Sequence, residues 1–206
     1  MKPYFITLEG VEGAGKSTQM KRISGWLAAH GHTVVESREP GGTHISEMIR
    51  DVVLHGDHPE MSAHTELMLI FAARAQHVHE LIRPALDAGK TVLCDRFTDA
   101  SYAYQGGGRG IPERDIATLE QMAQGDLRPD LTLLLDLPAK EGLARADGRG
   151  SEDRFETESL AFLDRARRAY LARAAGDPSR YVVIDAARSV TRVWRDIQDA
   201  LEQRLK

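Results

Sequence analysis

Residues Gly10-Val11-Glu12-Gly13-Ala14-Gly15-Lys16-Ser17-Thr18 restrict the folds open to this 206-residue chain more than any other stretch. Gly10, Gly15, Lys16 and Ser17 fill the four fixed places of G-x-x-x-x-G-K-[ST], a loop that wraps phosphate. Backbone N–H groups can converge on phosphate oxygens only where no Cβ obstructs the turn, hence the glycines. Lys16 suits the β- and γ-phosphates, the Ser17 hydroxyl suits a magnesium ion, and the helix that follows offers its positive end. The flanks agree. Tyr4–Leu8 reads as a buried strand, and Met20, Ile23, Trp26 and Leu27 recur at helical spacing up to a stop signal at His30-Gly31. Such a chain is expected to bind a nucleoside triphosphate.

Composition sets the outer bounds. The length suits one domain over residues 1–206 with a sizeable core. A formal charge of −4 argues against a general nucleic-acid partner. Cys94 alone gives no disulfide framework and fits a reducing compartment, and its neighbours Val92 and Leu93 mark it as buried. There is no apolar run of membrane-spanning length, and Met1-Lys2-Pro3-Tyr4 opens no signal peptide, so a cytoplasmic protein without a membrane partner is expected.

Strand patterns (Tyr4–Leu8, Thr33–Glu36, Thr91–Cys94, Leu131–Leu135, Tyr181–Ile184) alternate with helical ones. The helical patterns are Ser17–Ala29, Ile45–Leu54, Ala63–Asp87, Pro112–Gln124, Ala139–Ala146, Leu160–Ala175 and Val190–Leu205. Alternation predicts an α/β fold of the P-loop NTPase type: a three-layer α/β/α arrangement whose five-stranded parallel sheet is flanked by helices. Ligands then gather at the carboxyl ends of the strands. Two glycine-rich interruptions, Gln105–Gly110 and Asp147–Ser151, read by composition as surface connections. In a phosphate-binding protein the second also reads as a flexible lid, about residues 145–155, closing arginines over the reacting groups.

No Asn-Lys-x-Asp run for guanine is present, and the long ATPase domains need more chain, which leaves a small kinase with an acceptor pocket. Arg74 sits within the apolar stripe Leu67, Ile70, Phe71, Val78, Leu81 and Ile82, where a guanidinium needs a polar partner. A structural carboxylate can supply it. So can the polar edge of a base lying beside Phe71. Just past the third strand, Asp95 can serve the magnesium shell and Arg96 can grip an acceptor phosphate, or the two can pair structurally. His55, His58, His64, His77 and His79 have no metal-site spacing and read as surface or structural residues.

Four further runs complete the picture: Arg38-Glu39-Pro40-Gly41-Gly42-Thr43, Phe71-Ala72-Ala73-Arg74-Ala75-Gln76-His77, Asp95-Arg96-Phe97 and Tyr104-Gln105-Gly106-Gly107-Gly108-Arg109-Gly110. With the phosphate loop, their order and spacing resemble the thymidylate kinase family, from the loop to Asp185-Ala186. The resemblance implies phosphoryl transfer from MgATP to dTMP, giving dTDP and ADP, in a homodimer. It implies that Gly10 to Thr18 cradle ATP, that Ser17 and Asp95 serve the metal, and that Glu12 accepts a hydrogen bond from the acceptor 3′-hydroxyl. Phe71 would stack on or line the thymine, Arg74 would donate to its carbonyl, and Ser101 and Gln105 would touch the base. Arg96 and Arg50 would hold the acceptor phosphate, and Tyr104 would crowd the 2′ position. Many members carry the stacking aromatic four residues before the arginine, the place of Ile70 here, so Ile70 is the alternative contact. Members with glycine at the Gly13 place take the transition-state cation from the lid; Arg149 is the first choice, with Arg145 and Arg154 as alternatives.

Overall fold

The strand patterns become β1 (Phe5–Glu9), β2 (Val34–Arg38), β3 (Thr91–Asp95), β4 (Leu131–Asp136) and β5 (Tyr181–Asp185). The computed structural model describes residues 2–56, 58, 60–146, 155 and 158–205. All five strands pair in parallel in the order β2-β3-β1-β4-β5, which puts the phosphate-loop strand at the centre. β1 is buried along its whole length, with Ile6 opposite Leu93 on one side and Leu131 on the other.

Alternation along the strands divides the core. Ile6, Leu8, Leu131, Leu133 and Leu135 face Ile23 and Leu27 of α1 (Lys16–Ala29) and Ile197 and Leu201 of a C-terminal helix, Val190–Arg204. Phe5, Val92 and Cys94 point the other way, onto Val78, Ile82 and Phe97. Each such aliphatic side chain contributes about 1.5–3 kcal/mol by leaving water.

The remaining helices are α2 (His44–Arg50), α3 (Ala63–His77), α4 (Arg83–Asp87), α5 (Thr98–Ser101), α6 (Glu113–Gln124), α7 (Ala139–Ala146) and α8 (Leu160–Gly176), the C-terminal one being α9. The helix expected over Ala63–Asp87 is in fact α3, a π-helical turn at Val78–Ile82, and α4. Pro84 has no N–H to give and its ring crowds the carbonyl four residues back, so the ladder widens before it.

The run Gln105–Gly110 is not the surface connection that its composition suggests. α5 continues as a π-helical segment, Tyr102–Gly108, with Gln105 and Gly108 buried against α8. A Cβ on Gly107 would come within 2.7 Å of Ala169 Cβ, and one on Gly108 would strike the Phe162 ring. These glycines permit close helix approach rather than flexibility. Among the described residues, no helix is long and apolar enough to cross a membrane.

Candidate active site

The phosphate loop begins where β1 ends. Gly10, Gly13 and Gly15 all take positive φ values (142°, 73° and 89°), and Gly15 caps α1 without a side chain that could cover the helix amides. Gly13 is also packed against Gly142 of α7, where an added Cβ would run into backbone atoms. Lys16 Nζ folds back over the loop and donates to the Gly10 and Val11 carbonyls at 3.0 and 3.3 Å. Burial, then the neighbouring Arg96, lowers its pKa from the usual lysine range, against the pull of Asp95, Glu12 and Glu9. A partly buried cation held over the loop is suited to take over phosphate oxygens.

Beside the loop, three side chains lock together. Arg96 Nη2 donates to Glu12 Oε1 at 2.6 Å, and the Tyr104 hydroxyl donates to both Glu12 oxygens, at 2.9 and 2.7 Å. The Arg96 guanidinium also stands 4.9 Å over the Tyr104 ring. Burial would raise the Glu12 carboxyl, but Arg96, Lys16 and Tyr104 together hold it below the usual range. Arg96 itself has φ 67°, a left-handed backbone that is rare for a residue with a Cβ. The turn is pinned on both sides: Arg96 N–H donates to the Leu8 carbonyl at 3.0 Å, and Phe97 N–H donates to Glu9 Oε1 at 2.7 Å.

Glu9 is wholly buried, and its other oxygen accepts the Tyr170 hydroxyl at 2.8 Å. Burial and then the Asp99 carboxylate push its pKa up from 4.5 to about 8. Between those two values the folded protein holds a proton that the unfolded chain releases, so this group makes stability fall as pH rises from 4.5 towards 8. Glu9→Gln removes the titration. Thermal melts of the variant and the parent should keep a fixed offset below pH 4.5 and then shift in favour of the variant up to about pH 8. A melting difference that stays flat across that range would refute the raised pKa.

A cavity opens next to this knot. Glu12, Arg96 and Tyr104 line it together with Arg74, Ser101, Gln105, Ile70 and Phe97, and Glu39, Pro40, Arg50, Leu54, Ala100 and Phe155 complete the wall. Arg74 is only 1% exposed. Its Nε donates to Glu39 Oε2 at 2.6 Å, and its Nη2 donates to the Phe97 carbonyl at 3.2 Å and to Ser101 Oγ at 3.0 Å. Nη1 has no hydrogen-bond partner among the described residues. A buried charged donor left unmet costs about 1–3 kcal/mol or more, which a ligand acceptor would recover. Arg50 Nη1 donates to the Pro40 carbonyl at 2.7 Å, and Gln105 Nε2 to Glu66 Oε1 at 3.0 Å.

Comparison with known proteins agrees with this geometry. A family model described as thymidylate kinase matches residues 8–197. The chain belongs to the thymidylate kinase family. A thymidylate kinase from Pseudomonas putida is 59% identical over 201 residues, covering 98% of this chain and 95% of that protein. One from Pseudomonas savastanoi pv. phaseolicola is 55% identical over 206 residues, covering 100% and 98%. The crystal structure of the thymidylate kinase from Ehrlichia chaffeensis superposes with a TM-score of 0.79 at 30% identity, covering 98% of this chain and 99% of that one.

For a thymidylate kinase site, most residues expected from the sequence fall together. Glu12, Arg50, Arg74, Arg96, Ser101, Tyr104 and Gln105 all line the one cavity. Phe71 does not. It packs with Leu67, Tyr102, Ile111 and Ile116 in a separate core cluster, its ring 4.4 Å from the Arg74 guanidinium, while Ile70 takes the cavity wall. The structure thus places Phe71 against the Arg74 guanidinium and outside the cavity wall, the place that Ile70 holds. Arg96 pairs with Glu12 and not with its neighbour Asp95, whose Oδ1 is buried without a partner among the described residues. Arg145 is exposed and donates to the Ala186 carbonyl at 3.0 Å. Arg149 and Arg154 lie outside the described residues. Sequence reasoning gave no role to Glu39, Phe97, Leu54 and Phe155; the first two sat in view, inside motif runs that were used only for resemblance.

Proposed function

We propose that this chain transfers the γ-phosphoryl group of ATP to dTMP, giving dTDP and ADP. One observation carries the reading. One cavity is lined both by Arg74, whose buried Nη1 is unmet among the described residues, and by Glu12 of the phosphate loop with its partner Arg96. That is the layout needed for a base, a sugar and a phosphate laid end to end toward a donor.

Residues Gly10 to Thr18 bind the donor phosphates through loop amides, with Lys16 moving from its loop carbonyls to the β- and γ-oxygens. Arg74 Nη1 donates to a thymine carbonyl, Ile70 and Phe97 cover the ring, and Ser101 and Gln105 complete its edge. Arg96 and Arg50 hold the acceptor phosphate. Glu12 accepts from the 3′-hydroxyl, and the Tyr104 ring fills the space a 2′-hydroxyl would need. The acceptor is already an anion, so no general base is required; positioning and neutralisation of charge do the work. Arg149, with Arg145 and Arg154 as alternatives, supplies the cation at the transferring group.

Magnesium fits this donor set. Asp95 Oδ1 is a buried oxygen lacking a partner among the described residues, and the Ser17 hydroxyl is exposed at the start of α1. When bound there, the ion neutralises donor phosphate charge. Exposed Ile45, Met48, Val52 and Met68 on and beside α2 and α3 support a homodimer.

The test is ADP release with MgATP against dTMP, dUMP, dCMP, dGMP, UMP and thymidine. Preference for dTMP over dCMP by about 10²-fold or more is expected, because a donor aimed at a carbonyl meets an amine in cytosine. Equal turnover of thymidine, or none with any acceptor, would overturn the acceptor site.

A further inference from the structure

Behind the base-facing wall lies a line of polar side chains that phosphoryl transfer does not use. Ser37 Oγ is 2.6 Å from His77 Nε2, and His77 Nδ1 is 2.9 Å from Glu39 Oε1. The other oxygen of that carboxylate accepts Arg74 Nε–H at 2.6 Å. His77 and Glu39 are 0% and 4% exposed, so neither draws on bulk water.

The protonation pattern follows from the chemistry. Burial would raise the Glu39 carboxyl, but Arg74 and the His77 ring more than offset it and hold it below the usual range. A carboxylate only accepts, so His77 Nδ1 carries the proton that points at it. Nε2, on the far side of the ring, meets the Ser37 hydroxyl at 2.6 Å. The contacts thus link Ser37, His77 and Glu39 in a line, with Arg74 donating from the other side.

His77 and Arg74 stand three apart on one face of α3 and take one oxygen each of the same carboxylate. A carboxylate held at both oxygens cannot turn about its Cγ–Cδ bond. With Nη2 tied to Phe97 and Ser101, the planar guanidinium keeps one direction for Nη1. Gly42 closes the far side: an added Cβ there would come within 2.7 Å of His77 Nε2.

We propose that Ser37, His77 and Glu39 form a positioning relay that fixes the direction of Arg74 Nη1 and so sets the preference among acceptor bases. The inference rests on reading Arg74 as the donor to a base carbonyl. Without His77 the carboxylate keeps a single tether, the guanidinium follows its rotation, and the fit to a carbonyl degrades. A base presenting an amine there gains nothing from the aim and loses nothing with it. The relay side chains bond to one another and to Arg74, while the backbone beside them meets the phosphate sites: the Glu39 N–H donates to the Asp95 carbonyl at 3.0 Å, and the next carbonyl, that of Pro40, accepts Arg50.

The experiment measures dTMP affinity by calorimetry, and kcat and KM for dTMP, dCMP and ATP, in His77→Leu, His77→Asn, His77→Gln and Ser37→Ala. In His77→Leu the affinity for dTMP should fall about tenfold, the size of one lost hydrogen bond to a charged, buried group. The kcat/KM for dCMP, the KM for ATP and the kcat at saturating dTMP should each stay within about twofold. His77→Asn places an amide N–H near the position of Nδ1 and should restore most of the loss. His77→Gln reaches toward Ser37 instead and should not. Ser37→Ala, a milder change that keeps the imidazole, should move dTMP in the same direction by about two- to threefold even if His77→Leu fails to fold. Parallel losses for dTMP and dCMP, a matching fall in kcat, or equal rescue by asparagine and glutamine would each overturn the relay. Arg74→Met separates the two levels. If it leaves the dTMP-to-dCMP ratio intact, the base-reading role of Arg74 fails. If it collapses the ratio while His77→Leu does not, the relay alone fails.

Discussion

Arg96→Ala should lower kcat/KM for dTMP by about 10³, close to 4 kcal/mol, while the KM for ATP stays within a few-fold. The guanidinium stands where the acceptor cavity meets the phosphate loop, 2.6 Å from Glu12 and 4.9 Å over Tyr104. Losing it removes the proposed grip on the acceptor phosphate. It also takes away the first of the charges that hold the Glu12 carboxyl down against burial, so that carboxyl moves toward its protonated form. Arg96→Gly separates activity from stability. At φ 67° a side chain is strained and glycine is not, so Arg96→Gly should be as inactive as Arg96→Ala yet about 1 kcal/mol more stable. Steady-state kinetics on both variants, with thermal melts, decides it. A loss below tenfold would remove Arg96 from the reacting end of the site.

Gly13→Ala should strike the donor side as hard. Its φ is 73°, and the new methyl group would be driven into the backbone of Gly142. The loop must then shift by a good fraction of an ångström, and Lys16 and the loop amides shift with it. Displacement on that scale costs about 10² or more in turnover. ATP binding should weaken together with kcat, unlike the pattern for Arg96. Gly142→Ala tests the same contact from the other side, since its Cβ would strike the Glu12 carbonyl. Direct measurement of ATP affinity in the two variants checks this; normal binding in both would mean that the contact is not tight in solution.

The alternation of strands and helices was legible because β1, β3 and β4 are short buried runs, and the structure moves the strand bounds by at most two residues. Arg74 was legible for a related reason: a cation inside an apolar stripe demands a partner. Which partner was not. Glu39 reaches it from a turn 35 residues away, a pairing no local period encodes. Ile70 and Phe71 are adjacent on α3, and spacing that keeps both near one face cannot say which meets the cavity and which the core. His77 stood in a motif run and read only as a surface or structural residue, since a lone histidine has a meaning only through what the fold brings to its two nitrogens. The run Gln105–Gly110 was misread as a surface connection because glycine is also a helix breaker, and its use for close approach depends on Phe162 and Ala169, more than fifty residues further along.

That contact has a consequence for how such a sequence can change. The carbonyls of Gly107 and Gly108 accept Arg165 at 3.2 and 2.8 Å, and the faces of the two glycines are filled by Ala169 and Phe162. A side chain gained at 108 must be matched by one lost at 162, and either step taken alone leaves a collision or a hole. The acceptor wall and the helix behind it are therefore inherited as one mutational unit, and drift in one is answerable to the other.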